Sequence, residues 1–242
     1  MNWRLEVHDT LPSTSELCRA RAAVGDAAGL AVMARRQEQG RGSFGRSWSS
    51  PEGNLYLSVL LRPAGPLSDG GLWSLLSAVA LAEAVATILP DPSALRLKWP
   101  NDLMLNGAKL AGILLDSAAD GDGRFASLVI GLGLNIATKP DLSDRTPGCL
   151  ADVMPPPTPD FMAGRLLDRL GHWIAIQESA GFAPVRAAWL SRGPEIGAAM
   201  RLLHGPNEII GAFAGLAEDG GILITTNGAT RPYAAGEIRI NS

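Results

Sequence analysis

Two patterns of hydrophobic and polar positions alternate along this chain. Short apolar runs, several with a period of two, alternate with longer segments in which apolar residues recur at helical spacing. The runs predict strands at 3–8, 29–36, 54–62, 95–100, 102–105, 108–116 and 125–136. The longer segments predict helices at 13–23, 72–89, 160–179 and 183–191. Because strands follow one another through turns after residue 95, we expect an α+β fold with an antiparallel or mixed sheet flanked by helices.

The pattern changes near Gly193. Short apolar runs separated by Gly or Asn turns follow, at 200–205, 208–216, 221–226 and 231–240. That spacing is typical of a small β-barrel. We therefore predict two domains, 1–193 and 194–242, and we expect the proline-rich residues 140–159 to form a loop.

Composition narrows the class of protein. The 242 residues are 46% hydrophobic and carry a net charge of -3, which argues against general attraction to nucleic acid or to an anionic membrane. No secretory leader is apparent, and the apolar segment 71–89 contains Glu83, so we expect a buried helix and a cytoplasmic protein. Cys18 and Cys149 lie far apart without metal-type spacing, which predicts two free thiols.

The segment "GRGSFGRSW", residues 40–48, places three glycines in the pattern G-x-G-x-x-G. A dinucleotide fingerprint needs a helix to begin at the last glycine, whereas loop and then strand follow here, so we reject that interpretation. What remains is a flexible loop that carries Arg41 and Arg46 and is followed by Trp48. Guanidinium groups bind phosphate or carboxylate, and an indole can stack on a purine, so this glycine loop predicts a nucleotide site.

A second candidate is the segment "LKWPNDLMLNGAKLAGILLD", residues 97–116, whose Asn-Gly pair predicts a hairpin turn. Side chains two apart in an extended strand share a face, so we expect Lys109 to lie on one face with Ala111 and Ile113. The other face then carries Leu110, Gly112 and Leu114. A lysine among apolar neighbours needs an anionic partner. We expect that partner to be a carboxylate or phosphate of a ligand.

Four motifs in order, "GRGSFGRSW", "KWPNDLML", "KLAGILLD" and "VIGLGLNI", with "STS" near the N-terminus, resemble biotin–protein ligases along nearly the whole chain. The resemblance implies a class II synthetase-like catalytic domain with a mixed β-sheet, followed by an SH3-like barrel. It also implies that biotin and ATP, with Mg²⁺, give biotinyl-5′-AMP and pyrophosphate. A lysine of a biotin carboxyl carrier protein, from acetyl-CoA carboxylase or a related carboxylase, then receives the acyl group.

Because the chain begins at the catalytic domain, we expect the form that lacks an N-terminal DNA-binding domain. That form has no repressor function, no nucleic-acid partner and no membrane partner, and we expect a monomer or a homodimer. The apolar strand 127–136 could pair edge to edge across a dimer, or it could be a buried strand.

The resemblance also implies residue roles. The catalytic residues would be Lys109, Arg41 and Asp102, and Asp102 would also hold Mg²⁺ or orient the incoming lysine. The implied biotin contacts are Ser13, Thr14, Gln37, Gly40, Arg41, Lys109 and Gly112. The implied contacts to ATP or the adenylate are Arg46, Trp48, Asn101, Gly131, Gly133 and Asn135. Asn101 and Asp102 could instead only cap the hairpin.

The sequence departs from the family pattern at Ser43, where many members have an arginine, and Phe44 follows. A serine cannot form a bidentate cationic contact with an acyl phosphate, so we hypothesise that the adenylate is retained less tightly, or that Arg46 and Phe44 take over. Two alternatives stay open. One is a lipoate or octanoate ligase of related fold, and the other is a non-catalytic biotin sensor, which would lack the lysine that Lys109 supplies.

Overall fold

The computed structural model describes residues 1–141 and 146–239, in which a seven-stranded sheet forms the larger layer. Its spatial order is β1-β2-β3-β7-β6-β5-β4, and only β1 and β2 run parallel. The predicted mixed sheet is therefore confirmed. The strands are β1 (Arg4–Leu11), β2 (Leu30–Gln37), β3 (Leu55–Leu61), β4 (Leu95–Lys98), β5 (Asp102–Leu105), β6 (Ala108–Ala119) and β7 (Phe125–Leu134).

Four α-helices cover this sheet unequally. They are α1 (Thr14–Ala23), α2 (Gly70–Ala86), α3 (Pro159–Ala180) and α4 (Phe182–Leu190). Residues of α2, α3 and α4 join alternate residues of the central strands in one large apolar core. On the opposite face, α1 forms a smaller cluster around Cys18, Leu30 and Leu60. Because the single helix α1 covers only part of that face, the rest of it is left for a cleft.

Helix α2 explains the longest apolar stretch of the sequence. Together with the turn before it, this helix spans Leu67–Ala86 and is long and apolar enough to cross a membrane. No second helix within the described ranges meets that condition. The most apolar 18 residues of this segment are 67% buried inside the fold, between the sheet and helices α3 and α4. Glu83 accepts a hydrogen bond of 2.9 Å from the Trp173 indole, so the charge in this helix has a partner. The predicted buried helix is confirmed.

A smaller antiparallel sheet follows α4. Its strands are ordered β11-β10-β9-β8-β12, and its core residues, such as Phe213 and Ile224, belong to the same apolar cluster as α2. Trp99 donates from its indole to the Gly220 carbonyl at 3.1 Å and so joins the two sheets. This arrangement fits the SH3-like barrel, while the domain boundary near Gly193 stays a prediction. The strands are β8 (Ala199–His204), β9 (Asn207–Leu216), β10 (Ile222–Thr226), β11 (Ala229–Tyr233) and β12 (Glu237–Arg239).

Strand β7 settles one alternative. It lies between β3 and β6 in the interior of the large sheet and bonds to both. The interpretation of 127–136 as a strand that pairs across a dimer edge is therefore wrong, because neither edge of β7 is open. The predicted loop 140–159 contains a short 3-10 turn, Leu150–Asp152, and residues 142–145 of it lie outside the described residues. The two cysteines are free and buried, as predicted.

Candidate active site

A cleft lies on the sheet face that α1 leaves uncovered. Its floor is built from residues of β3, β7 and β6 that alternate with the core residues of the same strands. Ser58 pairs with Gly131, which pairs with Leu114, and Tyr56 pairs with Gly133, which pairs with Gly112. Three of these six positions are glycines, so the floor has little side-chain volume. The cleft contains about 860 Å³ of empty space, part of it open to solvent.

One end of the cleft is lined by uncharged polar side chains, which we call the neutral pocket. Thr14 donates from its backbone N–H and its hydroxyl to Gln37 Oε1, at 2.8 and 3.1 Å, and its hydroxyl lies 2.7 Å from Ser58 Oγ. Ser13 and Ser15 share a hydrogen bond of 3.0 Å. The hydroxyl groups are buried, Gln37 is half-buried, and all are mutually oriented, so they can offer donors and acceptors to a small polar ring. The neutral pocket consists of Ser13, Thr14, Ser15, Gln37 and Ser58.

The start of helix α1 explains how two of these side chains become available. Ser13 occupies the N-cap position, where serine usually accepts a hydrogen bond from the first turn, but its side chain makes no such bond. Its hydroxyl turns towards Ser15 instead. The start of helix α1 therefore leaves the Ser13 and Ser15 hydroxyls available to the cleft.

At the other end, Lys109 forms an ion pair with Asp102. Its Nζ lies 2.5 Å from Asp102 Oδ1, in a geometry that does not align a hydrogen bond, and both side chains are more than four-fifths buried. The expectation that Lys109 shares a face with Ala111 and Ile113 is wrong. The β5–β6 register shifts at this point, so that Met104 pairs with Lys109 and the preceding residue pairs with Ala111.

The extra residue in this β-bulge is Leu110, which is fully buried. A bulge reverses the alternation of faces, so Lys109 reaches the side of the sheet on which Gly112 lies. A Cβ atom added to Gly112 would come within 3.3 Å of the Lys109 ammonium. The bulge thus delivers the lysine to the cleft.

The glycine loop folds across this charged end. It begins after β2 and contains a single 3-10 turn, Ser43–Gly45, with Phe44 in the left-handed region at φ 57° and its side chain exposed. No dinucleotide-type helix follows, since the next element is β3. The backbone N–H of Trp48 donates to the Gly40 carbonyl at 2.8 Å and closes the loop. The rejection of the dinucleotide fingerprint is therefore confirmed.

Three polar contacts tie this loop to three different elements. Arg41 forms a bidentate pair with Asp116 of β6, at 2.8 and 3.2 Å. Ser43 Oγ accepts a hydrogen bond of 3.0 Å from the Asn101 amide. The outermost contact reaches the small sheet, where Arg46 donates to the Glu237 carboxylate of β12 at 3.0 Å. The charged end consists of Arg41, Arg46, Asp102, Lys109, Asp116 and Glu237.

The Trp48 indole lies on the glycine floor. A Cβ atom on Gly133 would come within 2.7 Å of the indole ring, and one on Gly112 within 3.1 Å, so neither position tolerates a larger residue with Trp48 in place. Lys109 Nζ lies 5.5 Å from the ring centroid, within range of a cation–π contact. The indole N–H is buried and has no hydrogen-bond partner among the described residues. It is thus a donor available to a ligand.

Twelve of the fourteen implied site residues line this one cleft, and Gly40 and Asn135 do not. Gly40 is the first residue of the glycine loop and does not face the cleft; a Cβ atom there would collide with the Trp48 carbonyl and Ser50. Asn135 is buried and its amide donates to the Gly148 carbonyl at 3.0 Å. The structure therefore gives both a supporting position, and their contacts to ligand remain predictions.

Sequence reasoning missed four residues of the site: Ser15, Ser58, Asp116 and Glu237. Period-two alternation from Gly112 reaches Asp116, and this signal could have placed that carboxylate on the cleft face. Nothing local marks Ser58 or Glu237, since each is brought to the cleft by its neighbours in a sheet. Ser15 was not predictable either, because its place in the cleft depends on Ser13, whose hydroxyl bonds to Ser15 instead of capping helix α1.

The chain matches the model of the biotin/lipoate A/B protein ligase family over residues 13–135, which spans the neutral pocket, the glycine loop and the β5–β6 hairpin that carries Lys109. It is 33% identical to a biotin–[acetyl-CoA-carboxylase] ligase of Paracoccus denitrificans, over 86% of this chain and 88% of the relative. It is also 32% identical to the Mycobacterium tuberculosis protein of the same name, over 98% of this chain and 89% of the relative.

The fold is also similar to that of a solved structure, the biotin protein ligase from Aquifex aeolicus in complex with biotin and ATP. The TM-score is 0.83 at 27% identity, over 98% of this chain and 97% of the other. A family model over half of the chain, relatives matched along most of their length and a solved ligase of the same fold thus agree. The chain belongs to the biotin/lipoate A/B protein ligase family, as a biotin protein ligase.

Proposed function

We propose that this enzyme activates biotin with ATP to biotinyl-5′-AMP and transfers the biotinyl group to a lysine of a biotin carboxyl carrier domain. The observation that carries the proposal is the joining of an uncharged hydrogen-bonding pocket to a cationic end in one cleft. A ligand with a polar ring at one end and a carboxylate at the other matches that polarity. The names of the Paracoccus and Mycobacterium relatives point to acetyl-CoA carboxylase as the acceptor.

The neutral pocket recognises the ureido ring of biotin. A cyclic urea presents two N–H donors and one carbonyl acceptor, and hydroxyl groups can serve both kinds of partner. Thr14 and Ser58 already share hydrogen bonds, so their hydroxyl hydrogens need only rotate when the ring enters. The carboxylate tail then runs over the glycine floor, beneath the loop, towards Lys109.

In the first step, a biotin carboxylate oxygen attacks the α-phosphorus of ATP, a phosphoric–carboxylic anhydride bond forms and pyrophosphate leaves. Two anions must approach each other, and the Lys109 ammonium and the Arg41 guanidinium lower that repulsion. Both charges are held in place by carboxylates before the reactants arrive, which is the preorganisation that transition-state stabilisation requires.

In the second step, the amine of the carrier lysine attacks the acyl carbon, an amide bond forms and AMP leaves with the anhydride oxygen. The ammonium loses one proton to solvent before the free amine attacks, and the nitrogen loses a second proton to solvent as the amide forms. Asp102 lies at the reacting end of the cleft and can orient the incoming amine. The ion pair with Asp102 holds Lys109 at this end of the cleft.

Mg²⁺ is commonly bound by one or two carboxylates together with substrate phosphates, so Asp102 as a Mg²⁺ ligand stays a prediction. Asp102 is paired with a lysine rather than with a second carboxylate, and the described residues contain no group of three or more His, Cys, Asp or Glu placed to hold a metal ion. Mg²⁺ bound to the ATP phosphates would reduce their charge.

The test is pyrophosphate release by the purified enzyme with ATP-Mg²⁺ and biotin, lipoate or no acid, followed by mass spectrometry of an added carrier domain. We expect biotin-dependent pyrophosphate and a biotin-sized mass gain on one carrier lysine. Turnover only with lipoate would identify a lipoate ligase, and tight biotin binding without pyrophosphate would identify a sensor. We place this reaction in the cytoplasm, where the free thiols of Cys18 and Cys149 remain reduced.

A further inference from the structure

Asp116 holds the guanidinium of Arg41 in a fixed orientation. Arg41 Nη1 donates to Asp116 Oδ2 at 2.8 Å, and Nη2 donates to Oδ1 at 3.2 Å. Two parallel hydrogen bonds fix the plane of the guanidinium as well as its position. We propose that Asp116 is a positioning residue, which sets Arg41 at the cleft for the reactant carboxylate and phosphate. This inference rests on the proposed function.

The two residues differ in the rigidity of their supports. Asp116 belongs to β6, which is bonded there to β7, and alternation along the strand places it on the same face as Gly112 and Leu114. Arg41 belongs to the glycine loop, where it makes an isolated bridge with Ser47. An arginine side chain loses much rotamer freedom when it is ordered. Because the pair with Asp116 already orders the Arg41 side chain, most of that entropy is lost before the reactants bind.

The pair does not cancel the attraction for anions. Asp116 also lies 4.0 Å from Arg19 of helix α1, so one carboxylate faces two guanidinium groups and the local charge stays positive. The bidentate contact uses two of the five N–H groups of Arg41 and leaves three for the reactants. Asp116 can therefore keep its hold on Arg41 while Arg41 binds an anion.

A double-mutant cycle tests this role. Single-turnover pyrophosphate release is compared among the wild type, Asp116→Asn, Arg41→Ala and the double variant. We expect Asp116→Asn to lower the rate about tenfold in the wild type, on the order of one charge-assisted hydrogen bond. In the Arg41→Ala background the same change should alter the rate by less than about twofold, because the partner is gone. An equal loss in both backgrounds would overturn the proposal.

A second readout does not need activity. Phenylglyoxal modifies free guanidinium groups, and peptide mapping by mass spectrometry gives the rate at each arginine. We expect Arg41 to react several-fold faster in Asp116→Asn and close to the wild-type rate in Asp116→Glu, with Arg231 as an internal reference. An unchanged rate at Arg41 contradicts the inference. If the wild type releases no pyrophosphate, the proposed function fails, and this modification rate alone decides the inference.

The matched control is Glu208→Gln. It removes one partner of an arginine–carboxylate pair of similar length, 3.1 Å to Arg201, on strand β9 outside the cleft. We expect pyrophosphate release and the reactivity of Arg41 to stay at their wild-type values. Thermal unfolding of each variant separates a loss of position from a loss of fold.

Discussion

The neutral pocket and the charged end lie in one cleft, yet they hold their side chains by different means. Thr14, Gln37 and Ser58 are tied by hydrogen bonds among themselves, largely away from solvent. Lys109 and Arg41 are instead each held by a carboxylate, Asp102 or Asp116. The difference suggests a division of labour: hydroxyl and amide groups select the ligand by shape, whereas ion pairs hold charges ready for groups whose charge changes during reaction.

The largest expected effect comes from the charged end. Lys109→Ala should lower adenylation by about 10²- to 10³-fold, the usual loss when one preorganised group on a developing anion is removed. Biotin binding should remain measurable, because the neutral pocket is intact. Pyrophosphate release and calorimetric binding of biotin give the two quantities. Normal adenylation in this variant would remove Lys109 from the mechanism.

Lys139→Ala is the matched control for that variant. Lys139 also pairs with an aspartate, Asp152, at 2.8 Å, but it lies outside the cleft. We expect its adenylation rate to equal that of the wild type. Thermal unfolding is needed for both variants, since each leaves an aspartate without its partner.

A change in the neutral pocket should act on binding instead. Thr14→Val keeps the shape of the side chain and leaves the hydroxyl of Ser58 without its 2.7 Å partner. In the complex, a polar group of the ureido ring then also lacks the Thr14 hydroxyl as a partner, which costs about 1–3 kcal/mol, so we expect the KM for biotin to rise by about five- to a hundredfold with little change in kcat. Thr225→Val, which breaks a 2.7 Å hydroxyl pair in the small sheet, is the control. A fall in kcat with no change in KM would contradict the assignment of the neutral pocket to ligand binding.

The glycine loop should give a smaller effect. Ser43 accepts one hydrogen bond from Asn101, whereas an arginine there can add a charge over the adenylate. We expect Ser43→Arg to slow the release of activated biotin about two- to tenfold, on the scale of one exposed or half-exposed ionic contact. Trapping by free amines measures the release, and Ser49→Arg, outside the cleft, is the control. Equal release from wild type and Ser43→Arg contradicts the hypothesis of looser retention.

A separate expected effect is on stability at alkaline pH rather than on activity. Burial raises the pKa of the Cys18 thiol and of the Tyr56 phenol to about 12 in each case. Both groups are neutral in the folded state and ionise first in the unfolded chain, so the stability they support is present below pH 9 and is lost between about pH 9 and 12. Urea unfolding should give a free energy that falls across this window, and less steeply in Cys18→Ala. A slope that Cys18→Ala leaves unchanged counts against the burial of that thiol.

Most of the fold follows from local pattern. The predicted helices and strands occur, except that the run predicted at 231–240 falls, over its described residues, into two strands, β11 and β12. Period two and helical spacing reflect which side of each element is buried, and both residues of the Asn106-Gly107 turn have positive φ. The cleft was predictable as a set of residues, since its motifs are contiguous. Ser58 and Glu237 were not found, because their roles depend on strand neighbours distant in sequence.

What the sequence determined by itself was the identity of the elements, the glycine loop, the neutral side chains and the lysine, all properties of short segments. Only the tertiary structure decided where they point. The bulge at Leu110 moved Lys109 to the face opposite to the one that simple alternation predicts, because one extra residue reverses the pleat. The carboxylates that hold the cations come from β5, β6 and β12, which long-range strand pairing brings to one place.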